Sequence, residues 1–334
     1  MGTFLCSVAL AATLLQGGGG LGGPATDAMT PLRSRVAQDS GDAEAWFGLG
    51  QGYLRWSVMY HLHRPTASGG IVGDTAWARA ILDTADEAFD RVATLRAGTA
   101  AGDSARVLRV FAWGERAFLA WELEGSAAAA RTWGLLPGDA KLPPVLQELG
   151  ENLLRACPRQ GVLLTADPVN THAAWFMRFG RMLRPDVVVL PFAVWATDSA
   201  FRRAVLREMK LLRGGGGGGG GGGRVRGRAP DASLAPVIAR RPLCASMGFE
   251  RPPELRPRVA WRTRPLVWAA GRGARDNPVP PQDFVFAALK LALDANDAWA
   301  RPAIAVYRRA AALTPALCRT ITGYQVPKDK VRCR

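Results

Sequence analysis

A chain of 334 residues with 48% apolar side chains can bury one or two sizeable cores, which excludes an intrinsically disordered polypeptide. The 43 Lys and Arg, nearly all Arg, set against 28 acids give a formal charge of +15, a balance that suits a polyanion, an anionic membrane surface or an acidic partner alike. The only compact basic run is RVRGR at 224–228, with no interleaved aromatic platform and no helix-turn-helix or zinc-finger spacing, so nucleic acid is not the expected partner.

The chain opens with an apolar run from Phe4 to Leu15 followed by glycines, the pattern of a secretory signal core, and it is too short to span a bilayer. Residues 1–28 are therefore expected to be a leader and spacer on an exported, envelope-associated protein; cytoplasmic residence is the alternative. From 29 to 140 the apolar positions recur at helical intervals. A helix is predicted over 41–56, where Ala45, Trp46, Leu49, Tyr53 and Leu54 form a stripe and Gly48 and Gly50 would admit a neighbouring helix closely. Further helices are predicted over 75–95, from a cap at Asp103 or Ser104 through Trp121, and over 126–136 before Pro137 and Gly138. Helices in series suggest a tetratricopeptide-like stack, whose concave surface would suit a protein or peptide partner.

Beyond 140 the pattern alternates. A helix from Pro144 to Cys157 precedes a short apolar strand at 161–165, a helix capped by Asn170 or Thr171, a strand within RPDVVVLP at 184–191, and a helix from Asp198 or Ser199 to Leu212. Ten consecutive glycines from Gly214 read as a flexible insertion spanning 213–231. Strands are predicted again at 242–249 and 265–271 and helices at 284–296 and 303–321, so residues 141–325 are expected to form one small parallel-sheet α/β domain, with a polar tail at 326–334. The expected fold class is thus α+α/β.

Five cysteines, none in a C-x-x-C pair, lack metal-ligand spacing. Cys318 and Cys333 are the expected bridge, because the tail has little else to hold it; Cys157 and Cys244 read as small buried apolar residues. His61 and His63 have no third ligand, and helical spacing separates them, so no metal and no cofactor is expected.

The stretch TADPVNTHAAWF, followed by RPDV and an apolar strand, resembles a bacterial family of membrane proteins of unknown function related to protein O-mannosyltransferases. In that family the motif reads roughly TNGDNDTFPLWY, and Thr165, Thr171, Trp175 and Phe176 fall in register with it, as do Arg184, Pro185, Asp186 and Val187. Here Asp167, Pro168, Val169 and Asn170 replace the acidic GDND turn. The resemblance implies an extramembrane α/β module.

Ligands of open parallel sheets bind outside the carboxyl ends of the strands, where a helix N-terminus favours anions. Thr165, Asp167, Asn170, Thr171 and His172 after the first strand, and Trp195 and Asp198 after the second, are therefore the candidate ligand-binding residues. The competing structural role is that Asp167, Asn170 and Thr171 only cap the helix while His172 lies solvated. No nucleophile, G-x-S-x-G elbow or phosphate loop accompanies them. The expected function is an exported, non-enzymatic binding or scaffold protein; a carbohydrate-related envelope enzyme or accessory subunit, and a polyanion-binding protein, are the alternatives.

Overall fold

The computed structural model describes residues 25–63, 72–211, 233–255 and 258–333. The signal-like run, the glycine insertion at 213–231 and the RVRGR run lie outside those residues. Helix formation begins earlier than the expected spacer allows. Ala25–Gln38 form α1, because Met29, Leu32 and Val36 make an apolar stripe that packs on the next helix. That helix, α2 (Ala43–His63), is started by Asp42, whose carboxylate accepts the Ala45 N–H at 3.0 Å. Helices α3 (Val72–Leu95), α4 (Ala100–Glu124) and α5 (Ser126–Gly134) follow, each packed on its predecessor. Thr99, one turn earlier than expected, caps α4 through the Gly102 N–H.

Two contacts fix this layer. A Cβ on Gly50 would lie 2.7 Å from the Phe89 ring, so glycine is what lets α3 settle against α2. The buried Arg109 of α4 reaches Asp86 at 3.0 Å, Asp90 at 2.6 Å and Asp139 at 2.6 Å, joining α3, α4 and the segment after α5 through one cation. Three carboxylates offset its desolvation, which a single surface pair would not do.

The remainder surrounds a five-stranded sheet. Helix α6 (Pro144–Ala156) leads to β1 (Val162–Thr165), α7 (Pro168–Trp175) with a closing π turn at Phe176–Gly180, and β2 (Val188–Pro191). Then come α8 (Phe192–Thr197), α9 (Ser199–Glu208), the single turn α10 (Ala235–Ile238), β3 (Leu243–Ser246), β4 (Arg262–Arg264) and β5 (Val267–Ala270). Helices α11 (Ala287–Asp294), α12 (Ala300–Leu313), α13 (Pro315–Gly323) and α14 (Lys328–Val331) complete the chain. The strand order is β2-β1-β3-β5-β4. Strand β1 is parallel to β2, with Val162 opposite Val188, and parallel to β3, with Leu163 opposite Cys244.

The expectation of a parallel sheet therefore needs correction: β5 runs antiparallel to both β3 and β4, and the sheet is mixed. Only Pro265 and Leu266 separate β4 from β5, and a two-residue connection can return a strand only antiparallel. Strand β4 is short and mostly exposed, so its sequence carries no apolar run to announce it. One buried cluster extends from Met29 to Val331 without a break at residue 140.

Cys157 and Cys244 are not free apolar residues. They are bonded to each other, tying the end of α6 to β3 with a Cα separation of 5.8 Å. Cys318 and Cys333 form the second bridge, at 5.9 Å. The tail is also held by its own buried Val326 and Val331.

Candidate functional site at the strand ends

Strand β1 delivers Thr165 to the carboxyl edge of the sheet, and the chain turns there into α7. Asp167 caps the helix: one carboxylate oxygen accepts the Asn170 N–H at 2.9 Å and the other accepts the Asn170 side-chain amide. Pro168 occupies the first helical position, where its missing N–H costs nothing. The Thr171 hydroxyl donates to the Asp167 carbonyl at 2.8 Å and lies 2.7 Å from the Thr165 hydroxyl, which also contacts the Leu190 carbonyl of β2 at 3.3 Å. The T-x-D-x-x-N-T pattern thus sews β1, α7 and β2 together. Burial pushes the Asp167 carboxyl above its usual range, against the pull of the Asn170 N–H groups.

His172 is not solvated. It is buried between the two halves of the molecule: its ring stacks on Phe111 of α4 at 4.5 Å, and Nε2 lies 3.2 Å from Oε1 of Glu115. The other ring nitrogen, Nδ1, has no hydrogen-bond partner and abuts Gly114, where an added Cβ would lie 2.3 Å away. On the opposite side of α7, a Cβ on Gly150 of α6 would lie 2.2 Å from the Ala173 carbonyl oxygen. Two glycines on two different helices therefore let α7 sink between them, with every residue from Val169 to Trp175 buried.

A cavity of about 680 Å³ opens above this edge. Thr165, Asp167, Asn170, Thr171 and His172 line it, together with Pro191 and Phe192 at the end of β2. The helical region supplies Val58, Glu115 and Phe118, and α12 contributes the face that carries Arg301, Ala305 and Arg309. No family model, curated protein or solved structure matches the chain. Its chemistry is accordingly read from the cavity. Trp195 and Asp198 do not line it: Trp195 is fully buried in the core, and Asp198 accepts the Phe201 N–H at 3.0 Å to start α9. Helix α8, which intervenes after β2, carries both residues away from the edge.

Glu115, Arg301 and Arg309 were missed by sequence reasoning. Arginines at i and i+8 flanking Ala305 share one helical face, a signal that was present but indistinguishable from a solvated helix side. A larger cavity of about 1000 Å³ lies by the 136–144 segment and Asn296–Trp299, sharing Arg301. Of the charged groups on it, Asp103 is already paired with Arg106 at 2.9 Å. Among the described residues, no group of three or more His, Cys, Asp or Glu could hold a metal ion.

The RPDV segment lies elsewhere. Arg184, at φ 49°, donates to the carbonyls of Leu154, Cys157 and Pro158 and to both carboxylate oxygens of Asp186. This cluster satisfies the open carbonyls at the end of α6 and holds the approach to β2.

Proposed function

We propose that the chain is an exported binding protein that holds a small ligand in the strand-end cavity, with the helical region forming one wall. The observation that carries this reading is convergence: polar side chains from the end of β1, α7, α12 and α4 all line one cavity whose volume suits a small organic molecule. Binding is favoured over turnover because the candidate proton-transfer groups are already engaged. Nε2 of His172 is on Glu115, Nδ1 is closed off by Gly114, and Asp167 is anchored by two hydrogen bonds from Asn170 at the start of α7. Two disulfides in a chain with a signal-like apolar start support export to an oxidising compartment. Among the described residues no helix is long and apolar enough to cross a membrane.

The test uses Ala305→Trp. Ala305 is exposed on the cavity face of α12, so the indole fills the cavity without disturbing the core. Native mass spectrometry of the full chain from its own cells should find a small molecule on the wild type and none on the variant. Equal occupancy in both would reject the site.

A second reading concerns the helical region itself. Trp77 is 48% exposed and stacks on Trp56 at 6.3 Å, an aromatic surface of the kind that anchors protein or peptide partners. Trp77→Ala should weaken capture of an envelope partner without altering thermal stability; unchanged capture would discard this role.

A further inference from the structure

The polarity of the cavity walls sets the chemical class of the ligand, an inference that rests on the binding role proposed for this site. A helix N-terminus at the end of a parallel strand ordinarily invites an anion. Here that end is occupied by the protein's own carboxylate, because Asp167 already accepts the Asn170 N–H. An anion placed at the start of α7 would meet Asp167 at close range. The pole formed by Asp167 and Asn170 is instead rich in acceptors: Oδ1 of Asn170 is buried without a hydrogen-bond partner, and such an acceptor is satisfied by a donor, not by another anion.

Helix α12 brings the reverse character to the same cavity, whose lining also includes Glu115, set on His172, and Glu250. Arg301 and Arg309 lie on one face of α12 with the small Ala305 between them, spaced by about 12 Å along the helix axis. Among the described residues neither guanidinium has a carboxylate partner: Arg309 donates to the Met247 carbonyl, and Arg301 makes no side-chain hydrogen bond or ion pair. Arg109 and Arg184, by contrast, are each matched by acids. We propose that the cavity takes a small organic anion whose acidic group pairs with Arg301 and Arg309 and whose hydrogen-bond-donating end meets Asp167 and Asn170. A carboxylate and a phosphate ester share this chemistry, since the guanidinium fork fits either.

The experiment compares ligands of matched shape and different charge on the full chain at low ionic strength, read by thermal shift and by tryptophan fluorescence, Trp175 lying at the cavity. Glucuronate and glucose 6-phosphate supply hydroxylated anions with a carboxylate or a phosphate; glucose and glucosamine are the neutral and cationic counterparts. The expected result is binding of at least one anion, weakened about tenfold or more in Arg309→Gln and in Arg301→Gln, with both variants melting like the wild type. Preference between the two anions identifies the acidic group. Binding of glucose or glucosamine in place of the anions, unaffected by either arginine variant, overturns the anion class, as does failure of all four. A neutral molecule that co-purifies with the wild type and is lost in Ala305→Trp would overturn the class while leaving the cavity's binding role intact. Equal occupancy of wild type and Ala305→Trp would remove both.

Discussion

Glu148 offers a sharp test of how the α/β half is assembled. It lies buried on α6 and reaches across to α11, where its two carboxylate oxygens accept the N–H groups of Ala288 at 2.7 Å and Leu289 at 3.0 Å. Burial pushes its pKa to about 7 from an ordinary 4.5; the two N–H groups pull it back only in part, and Glu151 adds to the rise. The folded state thus holds this proton more tightly than the unfolded chain does. The stabilising contribution is fully present below about pH 4.5 and is lost as pH rises through about 7. A rise of this size corresponds to about 3 kcal/mol. Glu148→Gln removes the titration and leaves one acceptor for two N–H groups, a constant penalty of about 1 kcal/mol. Urea unfolding of wild type and variant from about pH 4 to about pH 8 should therefore give a stability difference that moves by about 3 kcal/mol in the variant's favour. Asp167, which burial shifts in the same direction, is common to both proteins and cancels. A difference that stays constant across the range would refute the argument that desolvation outweighs the two hydrogen bonds.

Three other perturbations probe independent parts of the fold. Gly150→Ala drives a Cβ against the Ala173 carbonyl, which belongs to backbone and cannot swing aside; a loss of about 1–3 kcal/mol in urea unfolding is expected, and wild-type stability would show that α7 is not wedged. Replacing Cys157 and Cys244 together by Ala releases a cross-link of sequence separation 87, which chain entropy values at about 4 to 5 kcal/mol; a change under about 1 kcal/mol on denaturant titration would contradict it. The Arg184 guanidinium beside Asp186 holds that carboxyl down at about 2, so its contribution is present above about pH 4 and is lost as pH falls through about 2. Asp186→Asn should raise the midpoint of acid unfolding followed by circular dichroism, and an unchanged midpoint would argue against the pairing.

The helices were legible where one side-chain stripe decided them and illegible where the deciding contact lay far away in sequence. Ala45, Leu49 and Tyr53 announce α2, while α1 was hidden by the adjoining glycines and by Pro31 within it. Uniformly apolar β1, β3 and β5 read as buried strands, but burial says nothing of direction. The antiparallel turn was carried by Pro265 and Leu266, with Leu266 at φ 65°, and not by the strands themselves. The cysteine pairing shows the same limit. A tail with little else to hold it made Cys318 and Cys333 the expected bridge; Cys157 and Cys244 meet only because β3 lies beside β1.

At the candidate site the sequence carried the residues of one element and not their opposition. The T-x-D-x-x-N-T pattern placed four side chains at the end of β1, with His172 next to them, because capping chemistry is local. Everything that gives the cavity its polarity is distant: Glu115 comes from the helical half, and Arg301 and Arg309 from near the end of the chain. The local rule alone pointed to a small polar or anionic ligand at the helix N-terminus. In the assembled fold Asp167 fills that N-terminus, and the two arginines of α12 line the same cavity. The helical half is accordingly more than a platform beside the α/β half. By holding His172 between Phe111 and Glu115 it fixes the pose of α7, and with it the placement of Asp167 and Asn170 at the cavity.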